Sequence, residues 1–478
     1  MASTDPPIYA AKDFATPITD PFVKAYAAGS LLLDCPRITL RQNAAETPQV
    51  IHGRGMISMM PGTEFRLRMY VDDERSITSE PPWAALLDMT KILSGDIIPP
   101  EEYFALEATD LSGLVWTCAK LQIKRHGGGH GTVVTGKLYD ILAHRATGLS
   151  ATLPTLMSMF FFEDLAVPLN QFVETRTTSG ERTLSSNLIP KFAKFEAGGY
   201  RFEVQRVEAE KGSTIMRVYS PAALFPEGIE TRVEESLRYV TFNPIKWCII
   251  DKQHNGTREV LVVPHGNPGT SIFDEPLDHG RPDCAVDYWR LFAAYFLHVV
   301  AFDKPLEYHP LSAQLYHVIS AETQQLDLKG LLVSVAVEGV LNVEFADLAK
   351  PSAAFKAAVD SVNTIIRRLK CADEGLAKRL QGMLPGMNSS RPKDKFKLLT
   401  AADVITAEMV RAWEKLRNTT AHASVRFDPT EMQTNLNRCN MVYTMLNLLI
   451  FEAIGYSGRY QDFSVRGWPI EHVASPKL

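Results

Sequence analysis

Along Glu64–Val71, apolar and polar positions alternate: Phe65, Leu67, Met69 and Val71 fall on one side, and Glu64, Arg66 and Arg68 on the other. A period of two marks a half-buried strand, because successive side chains of an extended chain point to opposite faces. The runs Val50–Met60, Leu114–Ile123, Thr132–Leu142, Phe202–Val207 and Ile215–Tyr219 carry the same strand character. Between Trp247–Asp251 and Val260–Val263 stands Asn255-Gly256. Such a step between two apolar runs predicts a hairpin, since both central positions of the turn want positive φ. Around Asp287 the period lengthens to that of a helix, and Tyr288, Leu291, Phe292, Tyr295 and Phe296 make one stripe. Helices are then predicted over Leu311–Gln324, Leu328–Ala349, Ala354–Leu369, Leu376–Met383, Ala407–Ala421 and Thr430–Ile454. Pro385–Lys397, with Asn388-Ser389-Ser390-Arg391-Pro392, reads as a loop, and the aromatic tail after Gly455 as irregular. No internal repeat or low-complexity tract interrupts the pattern.

These periods predict an α+β chain in three parts: a β-rich domain over residues 1–245, a connecting region of hairpin plus helix over 246–310, and an α-helical bundle over 311–478. The composition is 45% hydrophobic and 22% charged over 478 residues, enough to bury a large core. It excludes a mainly disordered, a collagen-like and a polytopic membrane protein. The longest apolar run, Met441–Ile450, is about half of the ~20 residues a membrane span needs, so a core helix is expected there. Met1–Pro7 lacks the basic and apolar regions of a secretory signal. Cys35, Cys118, Cys248, Cys284, Cys371 and Cys439 lie at least 36 residues apart, with no CxxC pair. That spacing predicts reduced core thiols in a cytoplasmic protein, not a zinc ribbon or redox dithiol. The net charge of −5 is unevenly spread: Lys and Arg outnumber Asp and Glu by 20 to 17 in residues 311–478, leaving residues 1–310 at −8. A bulk charge of this sign excludes a dedicated DNA-coating protein but allows a local phosphate site.

The string richest in chemistry is Leu416-Arg417-Asn418-Thr419-Thr420-Ala421-His422, at the end of an amphipathic helix whose inward face is Met409, Trp413, Leu416 and Thr420. His422 can accept or donate a proton at neutral pH. Arg417 offers a permanently charged fork to phosphate oxygens. On one continuous helix the two side chains would stand about 140° apart at ~100° per residue. They can meet at one phosphate only if the helix bends or ends, or if a second copy completes the site.

This string resembles the R-x4-H motif of HEPN-domain ribonucleases, with Asn418 after the arginine. The helix order agrees with that family: a long helix carrying Glu338, a second helix, the motif helix, then the long apolar helix Thr430–Ile454. Together with the β-rich first half and the ending Ile454-Gly455-Tyr456-Ser457-Gly458, the chain is similar to ApeA-type HEPN proteins of anti-phage defence. The resemblance implies an endoribonuclease that needs no metal or other cofactor. Attack of a 2′-hydroxyl on the adjacent phosphorus would leave a 2′,3′-cyclic phosphate. Arg417 and His422 would be the catalytic pair, with Asn418 orienting the site. It further implies a homodimer whose two motifs share a cleft, tRNA as an RNA substrate, and an N-terminal domain that holds the enzyme inactive until an unidentified phage cue arrives.

Glu338 falls on the stripe Leu331, Val335, Glu338, Asn342, Phe345, where a carboxylate needs a partner; pairing with Arg417 is expected, a solvated helix edge being the alternative. Arg391, Lys393, Lys395 and Lys397, with Phe396 among them, are expected to grip RNA backbone and stack a base, and Arg367-Arg368 with Lys370 add a second basic cluster. His126-Gly127-Gly128-Gly129-His130-Gly131 reads as a glycine-rich hairpin, because no G-x-S-x-G elbow accompanies it and no third metal ligand joins its histidines. Pro264–Gly269 lacks the spacing of a phosphate-binding loop and reads as a turn. The competing assignment for the helical part is a non-catalytic HEPN-like module that binds a nucleotide or a protein.

Overall fold

In the computed structural model the alternating runs become one antiparallel sheet and the 3.6-period runs become helices. The structure describes residues 20–43, 48–60, 64–72, 99–128, 131–146, 155–163, 165–169, 171–179, 182–207, 213–254, 257–265, 269, 271–321, 326–368, 374–387, 390–421 and 431–477. The chain divides into two units. The first comprises residues 1–165, 169–225 and 246–267; the second comprises 166–168, 226–245 and 268–478. The architecture is α+β, with the strands in the first unit and most helices in the second.

Among the described residues, the first unit holds helix α1 (Asp20–Ala27) and fourteen strands: β1 (Leu32–Gln42), β2 (Val50–Met60), β3 (Glu64–Val71), β4 (Phe104–Thr109), β5 (Val115–Gly128), β6 (Gly131–Leu138), β7 (Ile141–Ala146), β8 (Thr155–Phe161), β9 (Gln171–Ser179), β10 (Arg182–Ala197), β11 (Tyr200–Val207), β12 (Ser213–Ser220), β13 (Ile249–His254) and β14 (Thr257–Val262). Their order is β4-β1-β2-β3-β6-β5-β7-β14-β13-β8-β12-β11-β10-β9. The length of β5 decides the shape. Its first half pairs with β4 and β7, and its second half pairs with β6. The β4–β5 ladder therefore closes the first six strands into a barrel, while the rest of the sheet continues from β7. Inward positions fill the barrel: Leu40, Ile51, Phe65, Leu67, Trp116, Leu121 and Val134 are buried together. Trp116 donates its indole N–H to Asp110 at 2.9 Å, which satisfies the one polar atom that this large ring brings inside. Helix α1 lays Phe22 and Tyr26 on this core.

The predicted Thr132–Leu142 strand is two, β6 and β7, broken at Tyr139-Asp140 so that the chain changes partners. The hairpin around Asn255-Gly256 pairs from Ile249↔Val262 to His254↔Thr257, with the Asn-Gly step itself outside the described residues. This hairpin lies between β7 and β8 in the sheet and is no connector. Conversely, helix α2 (Ile229–Thr241), inside the stretch expected to be β-rich, belongs to the helical unit. The division expected at residues 245 and 310 is thus replaced by units that the chain enters more than once.

The second unit contains α2, α3 (Ala285–Val300), α4 (Pro310–Ile319), α5 (Leu326–Val343), α6 (Ala353–Arg368), α7 (Glu374–Met387), α8 (Pro392–Ala401), α9 (Ala407–Ala421) and α10 (Met432–Ala453). The predicted stripe of α3 is buried in full. The apolar run of α10 is a core segment, and among the described residues no helix is long and apolar enough to cross a membrane. Two readings change here. Residues 392–397 of the expected loop belong to α8, because Pro392 occupies the first helical turn, where its missing N–H costs nothing, and residues 385–387 end α7. The tail holds a two-stranded sheet, β15 (Gly458–Gln461) with β16 (Ile470–Val473). Cys35, Cys118, Cys248, Cys284 and Cys439 are buried free thiols; Cys371 lies outside the described residues.

Candidate functional site

Contacts on successive turns of α5 join it to α9. At Gly330 the missing side chain lets Leu416 approach: a Cβ there would meet Leu416 Cδ1 at 2.8 Å. One turn on, Trp413 donates its indole N–H to the Ser334 carbonyl at 3.0 Å, while the Ser334 hydroxyl bonds back to the Gly330 carbonyl at 2.7 Å. Another turn on, Arg417 Nη2 lies 2.7 Å from Glu338 Oε2, with its guanidinium 5.3 Å from the Trp413 ring centre. The expected Glu338–Arg417 pair is therefore made. The arginine side chain is 44% exposed and the carboxylate 28%, so the pair sits at an open edge. The inward face of α9 is as predicted for Met409, Trp413 and Leu416, all buried. Asn418 is exposed on the same last turn as Arg417. His422 lies outside the described residues.

The middle of the stripe assigned to Glu338 is the outer edge of α5, while its last member, Phe345, lies beyond the helix and is buried. Val335 and Asn342 are exposed, whereas Val333, Ala336, Val337, Val340 and Leu341 are buried. The helix carries apolar residues all round, so periodicity alone does not fix which face turns inward. The open-edge alternative holds for Glu338, together with its partner.

The basic segment 391–397 is split by its helix. Arg391, Lys393 and Lys397 are exposed, with Lys393 paired to Glu414 at 2.7 Å and Lys397 near Asp394 at 3.3 Å. Lys395 is 1% exposed and donates to the Leu341 carbonyl at 2.8 Å, near the C-terminal end of α5. A cation there complements the helix dipole, and burial lowers its pKa. Lys395 is therefore removed from any surface that could grip RNA. Phe396 is buried with its ring edge-on to Trp413 and cannot stack a base. Arg367 and Arg368 are exposed at the end of α6; Lys370 lies outside the described residues. In the glycine-rich string, β5 and β6 pair as far as Gly128↔Gly131, consistent with a hairpin; Gly129 and His130 lie outside the described residues. Of Pro264–Gly269, residues 266–268 also lie outside.

Sequence reasoning passed over two groups of metal-ligating type, His298 with His309 and Glu344, and Glu275 with Asp278 and His279. In the first, His298 Nε2 stands 3.1 Å from Glu344 Oε2, while His309 caps α4 by accepting the Leu311 N–H on Nδ1. That bond leaves the His309 proton on Nε2, so neither ring nitrogen keeps a lone pair for an ion. In the second, His279 bonds Glu275 at 2.6 Å through both its ring and its amide, and Asp278 accepts the Gly280 N–H. Both groups act as local braces. No known protein family, characterised protein or solved structure matches this chain.

Proposed function

We propose that the chain is a metal-independent endoribonuclease of HEPN type, with Arg417 and His422 as its catalytic pair. The observation that carries this reading is the Glu338–Arg417 contact at the open end of α9. A carboxylate and an aromatic ring hold the guanidinium in one orientation while leaving almost half of the side chain in water. A held, exposed cation suits a phosphorane, whose charge grows in the transition state and is best met by a group that need not reorganise. His422, five positions on in the sequence, supplies the proton transfer that 2′-hydroxyl attack requires. In this reading two helical units pair to bring two motifs together, tRNA is among the RNAs cut, and the β-rich unit restrains the enzyme in the cytoplasm until a phage cue relieves it.

The test is incubation of the purified chain with total tRNA and mRNA in EDTA, beside His422→Ala and Arg417→Ala. The expected result is cleavage by the wild type alone, leaving 2′,3′-cyclic phosphate ends. Wild-type-like cleavage by both variants overturns the assignment. So does RNA left intact by the wild type both in the tube and in phage-infected cells. One observation favours a second reading: Glu338 already neutralises Arg417, as it would in a module that only binds a nucleotide or a partner protein. In that case nucleotide binding survives His422→Ala and no RNA is cut.

A further inference from the structure

Four neighbouring strands of the barrel, β2, β3, β6 and β5, present a wall to solvent whose charge is opposite to that of the chain around it. Register fixes which residues share this wall, because directly opposed residues of antiparallel strands lie on one face. Arg54 is opposite Tyr70, and Tyr70 is opposite Val133, itself opposite His126. One row along, Met56, Arg68, Thr135 and Lys124 are aligned; in the next, Ser58, Arg66, Lys137 and Gln122. The alternate positions Ile57, Phe65, Leu67, Met69 and Val134 are buried in the barrel. Arg54, Arg66, Arg68, Lys124 and Lys137 are therefore all outward, and all are exposed.

These four strands contain a single acidic residue, Glu64, which takes Arg66 at 2.6 Å and Lys137 at 2.7 Å. Arg54, Arg68 and Lys124 form no ion pair with any described residue. Aromatic rings stand beside the cations: Arg68 lies 5.5 Å from the centre of Tyr70, which is 41% exposed, and Lys137 lies 5.4 Å from that of Tyr139. The first unit carries a net charge of −2, so this basic wall is a local exception within it.

We propose that this wall binds single-stranded nucleic acid, with Arg54, Arg68 and Lys124 meeting successive phosphates and Tyr70 stacking a base. Cations on adjacent strands and alternate residues give a lattice of positive charge about 5 Å by 7 Å. Only an extended polyanion engages several of its points at once. The interleaved tyrosine selects a polyanion that also carries planar rings, the combination that sheet-based single-strand binders use. A lipid surface fits poorly, since Tyr70 is the one large exposed apolar side chain on these strands. The proposal does not depend on catalysis elsewhere in the chain.

The test uses the full chain and fluorescein-labelled oligothymidine of about 20 nucleotides, read by anisotropy in EDTA between about 50 and 200 mM salt. DNA lacks the 2′-hydroxyl, so the probe survives whether or not the chain is a ribonuclease. The expected result is binding that Arg54→Gln/Arg68→Gln/Lys124→Gln weakens at least tenfold at about 50 mM salt, with the salt slope reduced by about 2. Tyr70→Ala is expected to weaken binding roughly tenfold with the slope unchanged. Lys304→Gln, which removes an exposed cation of the other unit paired with Glu307, should bind like wild type. The inference is overturned by no binding at the lower salt, by equal binding of the triple variant with a native circular dichroism spectrum, or by an equal loss of binding in Lys304→Gln. Oligoglutamate of equal charge displacing the probe at equal concentration overturns it as well, since an acidic peptide would then be the ligand.

Discussion

His309 shows how one residue joins position, burial and pH response. It caps α4 through Nδ1 and is buried beside His298, with Arg232 and Glu344 also acting on it. Burial first, and His298 second, push its pKa down to about 4, and Glu344 only partly opposes them. In the unfolded chain the group titrates near about 6.5. Between these values the unfolded state binds the extra proton, so stability is complete above about pH 6.5 and is lost as pH falls toward about 4. At roughly 1.4 kcal/mol per pH unit, His309 accounts for roughly 3 kcal/mol of that loss. His309→Asn keeps a capping side chain without a titrating ring. Its urea midpoint should fall less between about pH 7 and pH 4 than that of the wild type; parallel curves would refute the role. The sequence shows His309 before Pro310, but not the burial that lowers its pKa. The need of Glu338 for a cation was legible by contrast, because it is a carboxylate on a largely apolar helix; that Arg417, among the 20 Lys and Arg of residues 311–478, meets it follows from the packing of α5 on α9.

At the scale of elements, α5 and α9 are held at close range by what α5 lacks at Gly330. A mid-helix Gly→Ala change normally stabilises by about 0.5–1 kcal/mol. At Gly330 the new methyl meets the buried Leu416 at 2.8–3.4 Å, and the overpacking cost of about 1–3 kcal/mol outweighs that gain. Gly382 in α7 has no atom within 4 Å of the same methyl. Melting temperatures should therefore move in opposite directions, down for Gly330→Ala and up for Gly382→Ala; a shift of the same sign in both would contradict the packing. Element type was readable where the period was long and unmixed, as in α3, α9 and β3. It was missed where one residue type serves two ends: Pro392 was taken as a breaker, yet it starts α8.

For the whole molecule, the order of strands in space governs what can be cut from the chain. A fragment of residues 1–245 lacks β13 and β14, which sit between β7 and β8. It would expose two unpaired strand edges, the usual route to aggregation. A fragment of residues 1–267 restores the hairpin but carries α2, most of whose side chains are buried within the helical unit. Both fragments should elute as aggregates in gel filtration under conditions where the full chain does not; a monodisperse 1–245 fragment would show that the hairpin is dispensable. The sequence by itself determined the α+β class, most strand and helix positions and the Asn-Gly hairpin. Each of these is local periodicity or turn chemistry, written within a few turns of chain. Only the tertiary structure decided that β4 and β5 close a barrel, that the 249–262 hairpin belongs in the sheet, that Lys395 turns inward, and that cations from four strands share one wall. Those outcomes depend on which distant segments pair, and pairing is set by the summed burial of the assembled layers, which no short window of sequence contains.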